Sequence, residues 1–473
     1  MSSAEPSMTR VETDTLGEFA VPADALYGIH TARALVNFPL SGRPCAPALV
    51  RGMALVKLAC ARTNTATGHL DRETGEAIAT ACHELAEGRA GLPDAVVVDA
   101  LQGGAGTSLN MNVNEVLANR AEEILGGRRG EYRRVHPLRH VNLHQSTNDV
   151  FPTALKVAAT GALHRLEKAI SALQMAFQAR EHDFAAIVKV GRTQLQDACP
   201  LTLGAECSAW AEALGRDRWR VFKCEERLRV VNLGGTAIGT GLTAPRDYIF
   251  RVVDALREAT GMHFARAENL VDATQNADAF VEVSGILKAH AVNLFKISSD
   301  LRLLASGPRA GLGEIRLPPV QVGSSIMPGK VNPVICEAVG QAALQAIAQD
   351  QAVTLAAQSG QLELNAFLPL LAHALLGNLD LLERANTLFR ARCIDGIEAD
   401  AERCAGLLDA SLVQATALVP ALGYELAAEV AQESLRDRRT IRAVVLARGL
   451  LIPQTLDRLL SPEVMTALGQ ANE

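Results

Sequence analysis

The stretch FVEVSGILKAHAVNLFKISSDLRLL, Phe280 to Leu304, decides the fold because its apolar side chains recur at alternating spacings of three and four residues. That spacing places them on one face of an α-helix for roughly six turns. The positions after Phe280 are Val283, Leu287, Leu294, Ile297, Leu301 and Leu304. His290 fills the one slot that is not apolar, and we interpret it as a hydrogen-bonded core residue.

Two further segments predict long helices. One follows Pro152 and carries a second apolar ladder at Ala159, Leu163, Leu166, Ile170, Leu173 and Phe177. The other runs from Pro333 through an Ala- and Gln-rich stretch to Gln358. Together the three segments predict a bundle of long helices. Because aromatic residues make up only 4% of the chain, such helices can pack closely against copies of themselves, so we expect an oligomer.

The flanking parts of the chain show weaker patterns. The N-terminal part, up to about Thr147, predicts short helices mixed with loops. The part after Glu402 predicts shorter helices with charged faces, such as Ile441 to Arg448. Ser146, Thr147 and Asn148 are residue types that cap helices, and they precede the helix expected after Pro152.

Composition excludes several classes of protein. With 473 residues, of which 48% are hydrophobic, the chain can bury a large core. Its net charge is −6 and it has no basic run, which argues against nucleic acid as a partner. The sequence has no uninterrupted apolar stretch of roughly 18 residues, and the polar start MSSAEPSMTR has no signal-peptide core. We therefore expect a cytoplasmic protein with no membrane association.

The nine cysteines lie scattered between Cys45 and Cys404 without a CxxC pair or a Cys/His spacing typical of zinc sites. Most are expected to be small buried residues. None of the eleven histidines stands in a metal motif. The sequence therefore predicts neither a disulfide framework nor a metal site.

The loop GSSIMPGKVNP, Gly323 to Pro333, is the first candidate functional segment. Ser324 and Ser325 supply hydroxyls, Lys330 a positive charge, and Asn332 both a donor and an acceptor. These groups suit a small molecule rich in carboxylates. The same residue types also occur in ordinary surface loops, so the interpretation depends on other polar segments.

Four other segments are dense in hydroxyls, amides and glycines, and together they indicate one polar site. They are QGGAGTSLNMNVNE at 102–115, HQSTND at 144–149, GRTQLQDA at 191–198 and NLGGTAIGTG at 232–241. None contains the GxGxxG or GxxxxGK[ST] pattern of nucleotide-binding loops.

These segments resemble the conserved blocks of the aspartase/fumarase superfamily, in the order and at the spacing of that family. GSSIMPGKVNP is similar to its signature loop, GSSxMPxKxNP. The resemblance extends from LYGIHTARALVNF at 26–38 to VVLARGLL at 444–451.

The resemblance implies an all-α protomer of three domains, which we place at 1–147, 148–402 and 403–473. It implies a homotetramer in which three subunits build each active site. It also implies a reversible anti elimination from a succinyl-type substrate through an aci-carboxylate dianion, with no organic cofactor. Activation by a divalent metal stays open.

The resemblance also assigns roles to residues. Ser324 corresponds to the catalytic base. Thr107, Ser146, Thr147 and Ser325 correspond to the residues around the carboxylate next to the deprotonated carbon, and Lys330 and Asn332 to those around the other carboxylate. Asn148, Thr193 and Gln194 correspond to the pocket of the leaving group.

Within the superfamily, three positions favour the ammonia-lyase branch, which eliminates ammonia from L-aspartate, a small dicarboxylic amino acid, to give fumarate. Gln194 stands where class II fumarases carry His, Ala105 replaces a serine of their SGSGTQ block, and Thr147 stands in their SSN block. A class II-like fumarase is the alternative. A third possibility is a catalytically silent relative with a structural or binding role, although Ser324 and the carboxylate residues are all present.

One family feature is missing. VHPLRHVN places Leu138 and Arg139 where HPNDHVN has Asn and Asp. Because that neighbourhood forms a secondary carboxylate site in fumarases, we do not assign such a site to this chain.

Overall fold

The structure is a computed structural model that describes residues 8–89, 91–467 and 469. Helices dominate the chain, and the prediction of an all-α fold is confirmed. The helices are α1 Ile29–Asn37, α2 Pro47–Ala66, α3 Arg72–Ala86, α4 Thr107–Ile124, α5 Thr147–Asp183, α6 Leu203–Leu228, α7 Arg246–Thr260, α8 Leu270–Gln275, α9 Asp278–Leu304, α10 Val334–Gln358, α11 Leu368–Arg392, α12 Ala401–Ala410, α13 Val419–Leu422, α14 Tyr424–Asp437, α15 Ile441–Ala447, α16 Pro453–Leu459 and α17 Pro462–Met465.

Short strands form four two-stranded sheets. They are β1 Thr9–Asp14 with β2 Gly17–Pro22, β3 Val188–Thr193 with β4 Gln196–Thr202, β5 Val230–Val231 with β6 Ala265–Arg266, and β7 Ile315–Arg316 with β8 Glu398–Ala399. The β5–β6 pair is parallel and the other three are antiparallel. Because each sheet has only two strands, none forms a layer of its own, and the strands serve to hold loops.

The predicted long helices are present. α9 contains the whole apolar ladder from Phe280 to Leu304, whose members are at most 5% exposed. His290 is fully buried among them, as expected for a core residue. α10 begins at Val334, one residue after Pro333, and ends at Gln358 as predicted.

α5 begins earlier than predicted. It starts at Thr147, so Pro152 lies inside the helix rather than before it. A proline has no N–H and cannot bond to the carbonyl four residues earlier, which here belongs to Asn148. The Asn232 side chain donates to that carbonyl instead, over 3.0 Å. This replacement allows the helix to continue through the proline.

The N-terminal part contains longer helices than predicted, since α2 has 20 residues and α4 has 18. α2 is packed by α3 and α7, and Met53, Val56 and Leu58 are all fully buried. A helix that is covered on several sides does not need a one-sided apolar stripe. That is why the periodicity of the sequence did not reveal it.

The described chain divides into two compact units. The first contains the chain up to Glu167 together with Trp219–Ala291 and Leu344–Glu383. The second contains Lys168–Arg218, Val292–Ala343 and the chain from Arg384 onward. The division into three domains at 147 and 402 stays a prediction.

Within the residues described, no single helix is both long and apolar enough to cross a membrane. The consecutive segments Ala401–Ala410 and Leu412–Leu422 pass that test only as a pair, with a bend of 73° between them. All nine cysteines are free, and all except Cys199 are buried, which confirms the prediction that most are core residues.

Candidate active site

Thr107 lies at the N-terminus of α4, directly after three residues with positive φ. These are Gly104 at 80°, Ala105 at 58° and Gly106 at 97°. The Thr107 hydroxyl donates to the Gly104 carbonyl over 2.7 Å. Thr107 therefore lies at a helix N-terminus, which favours a negatively charged ligand.

Gly106 brings the start of α4 against α5. A Cβ atom at Gly106 would lie 2.2 Å from a ring carbon of Phe151, which is far inside van der Waals contact. Asn110 extends the link, because its side chain donates to the Thr147 hydroxyl over 3.0 Å. The structure therefore places Thr107 and the 146–148 segment in the same neighbourhood of the first unit, at two adjoining helix N-termini.

Ser146, Thr147 and Asn148 form the first turn of α5. The backbone N–H of Asn148 donates to the Ser146 hydroxyl over 3.2 Å, an arrangement typical of a helix cap. The Asn148 side-chain amide donates to the Ala237 carbonyl over 2.7 Å. Ala237 belongs to the NLGGTAIGTG segment, so this predicted polar block also lies beside α5.

A buried polar network is connected to this turn through Asn110. The Lys57 ammonium donates to the side-chain carbonyls of Asn142 and Gln145, both over 2.9 Å. The Asn142 oxygen also accepts from Asn110 over 3.2 Å and from Asn114 over 3.1 Å. Complete burial lowers the pKa of Lys57 to about 8. Sequence reasoning missed Lys57, because a lysine within an apolar run gives no signal of its own.

Thr193 and Gln194 lie at the exposed tip of the β3–β4 hairpin in the second unit. Thr193 pairs with Gln196, so Gln194 and Leu195 form a two-residue turn with φ values of 54° and 61°. Such turns favour Asn or Gly, and a side chain in this region costs of order 1 kcal/mol. Gln194 and Leu195 are not residues typical of such a turn, so the sequence does not predict the hairpin.

Buried charges anchor the base of that hairpin. The Glu314 carboxylate is fully buried and accepts from Lys189 over 3.2 Å and from Arg192 over 2.9 Å. Lys189 also contacts Glu206 over 3.2 Å. Two cations and two anions therefore compensate one another beneath Thr193, which holds the hairpin in place.

Residues 323–333 form an irregular loop, and its hydrogen bonds fix Ser324. The Ser324 hydroxyl oxygen accepts from the backbone N–H groups of Met327 over 2.9 Å and of Ile326 over 3.2 Å. Two amide donors aimed at one hydroxyl oxygen stabilise its ionised form. This geometry is compatible with the predicted role of Ser324 as a base.

The loop is closed at its ends by close backbone contacts. The N–H of Gly323 donates to the Lys330 carbonyl over 2.8 Å, and the Asn332 side chain donates to the Gly323 carbonyl over 2.7 Å. A Cβ at Gly323 would lie 2.5 Å from the Lys330 oxygen, so only glycine fits. One N–H of the Asn332 amide remains for a ligand. Ser325 and the Lys330 side chain are exposed.

The ten predicted residues thus form three groups. Thr107 and Ser146–Asn148 share the first unit, whereas Thr193–Gln194 and the 323–333 loop belong to the second. Within the described residues no hydrogen bond joins the hairpin tip to the loop.

Backbone strain marks these same blocks. Of the nine non-glycine residues with positive φ in the described chain, five lie in these blocks: Ala105, His144, Gln194, Leu195 and Thr236. Such conformations persist only where the surroundings impose them, and they are concentrated at functional sites. Among the described residues, no group of three or more His, Cys, Asp or Glu side chains could hold a metal ion.

A separate cavity of about 880 Å³ lies in the first unit beside α2, α3 and α5. Arg51, Leu85 and Val157 are among its lining residues, and none of the ten predicted residues is. Its lining is mainly apolar and includes two arginines, Arg51 and Arg165.

Comparison with known proteins supports the interpretation of these blocks. Residues 17–348 match the family described as Lyase, and residues 415–467 match the Fumarase C C-terminus family. Aspartate ammonia-lyase of Bacillus subtilis (strain 168) is 44% identical, over 98% of this chain and 97% of that protein. Aspartate ammonia-lyase of Pseudomonas aeruginosa is 48% identical, over 97% of each chain.

Solved structures of lyases and fumarases have a fold similar to that of this chain. Fumarate lyase:delta crystallin from Brucella melitensis bound to cobalt superimposes with a TM-score of 0.94 at 48% identity, over 98% of this chain and 100% of that one. Class II fumarase from Schistosoma mansoni gives 0.91 at 34% identity, over 97% and 99%. The chain therefore belongs to the lyase family, as a member of the aspartase/fumarase superfamily.

Proposed function

We propose that the protein is an aspartate ammonia-lyase, a carbon–nitrogen lyase that converts L-aspartate reversibly to fumarate and ammonia. The observation that carries the proposal is the pair of backbone N–H groups on the Ser324 hydroxyl oxygen, in a chain similar over its whole length to aspartate ammonia-lyases. The first supports base chemistry, and the second supports the choice of substrate.

Ser324 acts as the general base. In its ionised form it takes a proton from the carbon next to one carboxylate of L-aspartate, and the bonding electrons move into that carboxylate. The N–H groups of Ile326 and Met327 hold the charge on the serine oxygen before the transfer. The positive charge of Lys330 adds to that stabilisation.

The intermediate is an aci-carboxylate dianion, which carries two negative charges on one group. Ser146, Thr147 and Ser325 donate hydrogen bonds to it, and Thr107 does so once its hydroxyl turns away from the Gly104 carbonyl. The N-termini of α4 and α5 add favourable helix dipoles. Lys330 and Asn332 hold the other carboxylate. Hydrogen bonds to this group strengthen as its charge develops, so they stabilise the intermediate more than the substrate.

The leaving group departs when the intermediate collapses. The electrons of the aci-carboxylate form the double bond of fumarate, and the carbon–nitrogen bond breaks to release ammonia. Asn148, Thr193 and Gln194 surround this group. Asn148 uses its N–H on Ala237, which leaves its side-chain oxygen as an acceptor for an ammonium group.

A class II-like fumarase remains the alternative, because the 323–333 loop suits malate as well as aspartate. The higher identity to aspartate ammonia-lyases than to the Schistosoma mansoni fumarase favours aspartate. A catalytically silent relative is a weaker proposal, since Ser324 and the carboxylate-binding residues are present.

A homotetramer with composite active sites from three subunits is part of the proposal. It is supported by large apolar side chains that are exposed on long helices, such as Met175, Trp219 and Phe222, at 65%, 63% and 59%. Static light scattering tests it. We further propose a cytoplasmic enzyme that needs no organic cofactor, with no nucleic-acid or membrane partner.

The proposed function can be tested by mixing purified protein with L-aspartate or with L-malate and measuring the fumarate formed by its absorbance. We expect fumarate from aspartate and little from malate. Activity with malate alone would establish the fumarase alternative, and activity with neither would establish the silent relative.

A further inference from the structure

Asp149 is a fully buried carboxylate next to Asn148, and it is outside the set of residues that the family resemblance assigned. One of its oxygens accepts from the Ser146 N–H over 2.9 Å. The other accepts from the N–H groups of Gly234 and Thr236, both over 3.1 Å. Asp149 therefore ties the first turn of α5 to the 232–241 loop, and both lie in the first unit.

Two effects act in opposite directions on the ionisation of Asp149. Burial raises its pKa to about 6, while the three backbone N–H groups and the Lys57 ammonium favour the ionised form. Because all three hydrogen bonds of the Asp149 carboxylate come from N–H donors, its contacts suit the ionised form. An ionised carboxylate holds amide donors more strongly than a neutral acceptor does.

The 232–241 loop forms two hydrogen bonds with Asn148. The Ala237 carbonyl accepts from the Asn148 side-chain amide over 2.7 Å. The Asn232 side chain donates to the Asn148 backbone carbonyl, the one freed by Pro152, over 3.0 Å. Ala237 is one residue beyond Thr236, so the position of its carbonyl depends directly on the bond between Thr236 and Asp149.

This arrangement decides which end of the Asn148 carboxamide is available. A carboxamide has a donor end and an acceptor end. Because the donor end is bound to Ala237, the acceptor oxygen is the end without a hydrogen bond among the described residues. An ammonium group has only donors, so it needs that acceptor.

We propose that Asp149 is a positioning residue for the leaving amine, which holds the 232–241 loop so that Ala237 keeps the acceptor oxygen of Asn148 turned toward the amine. The inference rests on the proposed ammonia-lyase function. It deepens that function by assigning amine recognition to a residue that does not touch the substrate.

The test uses the reverse reaction, in which fumarate and ammonium are titrated separately. Asn232→Ala weakens the grip on Asn148 without touching Ser146. Asp149→Asn removes the charge while keeping the volume of the side chain. For both variants we expect the KM for ammonium to rise tenfold or more, with the KM for fumarate within threefold of wild type.

Asp350→Asn is the matched control. Asp350 is also a buried carboxylate of the first unit, and it accepts from the Ser284 hydroxyl over 2.8 Å and from Lys288 over 2.6 Å. Its loss tests the general effect of removing a buried charge, and we expect both KM values to stay within twofold of wild type. Thermal unfolding of each variant shows that the protein is folded.

Two results overturn the inference while leaving the proposed function intact. One is that both KM values rise by the same factor in Asp149→Asn and Asn232→Ala. The other is that these variants lose thermal stability while both KM values stay at the wild-type level. A wild-type protein that makes no aspartate from fumarate and ammonium refutes the proposed function itself, and the inference with it.

Discussion

Gly106 joins the two helix N-termini of the candidate site, and replacing it tests that junction. In Gly106→Ala the new Cβ would lie 2.2 Å from the Phe151 ring, at a φ of 97° that side chains rarely adopt. The backbone strain costs about 1 kcal/mol and the overlap a further 1–3 kcal/mol. We therefore expect a loss of about 2–4 kcal/mol in the free energy of unfolding.

Gly126 offers a matched control at the other end of α4. Its φ is 83°, but a Cβ there would meet nothing within 4 Å. Gly126→Ala therefore introduces backbone strain of about 1 kcal/mol without the overlap. The two variants differ by the packing of Gly106 on Phe151 alone.

The assay combines urea denaturation with the rate of fumarate formation from L-aspartate. A displacement of about 1 Å at a catalytic site can cost about a hundredfold in rate, so we expect that loss of kcat/KM in Gly106→Ala and less than a twofold change in Gly126→Ala. Removing the overlapping ring in Gly106→Ala/Phe151→Ala should restore part of the activity. Equal stability and activity in the two single variants would show that the contact of Gly106 with Phe151 does not hold the two helices in place.

Three further predictions concern other parts of the site. Gln194→Gly removes a side chain from a residue with positive φ, so it should stabilise the protein by about 1 kcal/mol. We expect kcat/KM for aspartate to fall in the same variant. Unchanged turnover would contradict a role for this side chain. Glu314→Gln leaves Lys189 and Arg192 without their buried anion and should cost about 3–5 kcal/mol in urea denaturation, whereas wild-type stability would show that the pair is not needed. Burial lowers the pKa of Lys57 from 10.5 to about 8, so the unfolded chain holds more protons between those pH values and stability rises with pH there. Relative to Lys57→Met, the wild type should gain about 3 kcal/mol across that range, and a constant difference would contradict the shift.

The long helices were predictable because their chemistry is periodic. The ladder from Phe280 to Leu304 identifies α9, because one face of that helix is packed and its apolar residues are spaced to lie on that face. α2 shows no such spacing of apolar residues, because it is packed on several sides. Pro152 pointed to the wrong start of α5, since the sequence does not show that Asn232 would replace the lost hydrogen bond.

The sequence and the family resemblance name a set of candidate residues but not the geometry around them. The hydroxyls and amides at 107, 146–148 and 324–332 could be named from their type and from the family resemblance. The donors that make Ser324 a credible base are the backbone N–H groups of Ile326 and Met327, which any sequence supplies. Asp149 gave no signal either, because its partners are also backbone groups distant in sequence.

The proposed mechanism depends on Ser324 as the base of an aspartate elimination. The most direct measurement is the rate of fumarate formation from saturating L-aspartate by Ser324→Ala, beside Ser359→Ala, which removes an exposed hydroxyl that bonds only to its own helix. Removal of a general base costs typically 10²–10⁴-fold in rate. We predict a loss of about a thousandfold in Ser324→Ala with unchanged thermal unfolding, and a normal rate in Ser359→Ala. Near-normal turnover by a folded Ser324→Ala protein would contradict the account.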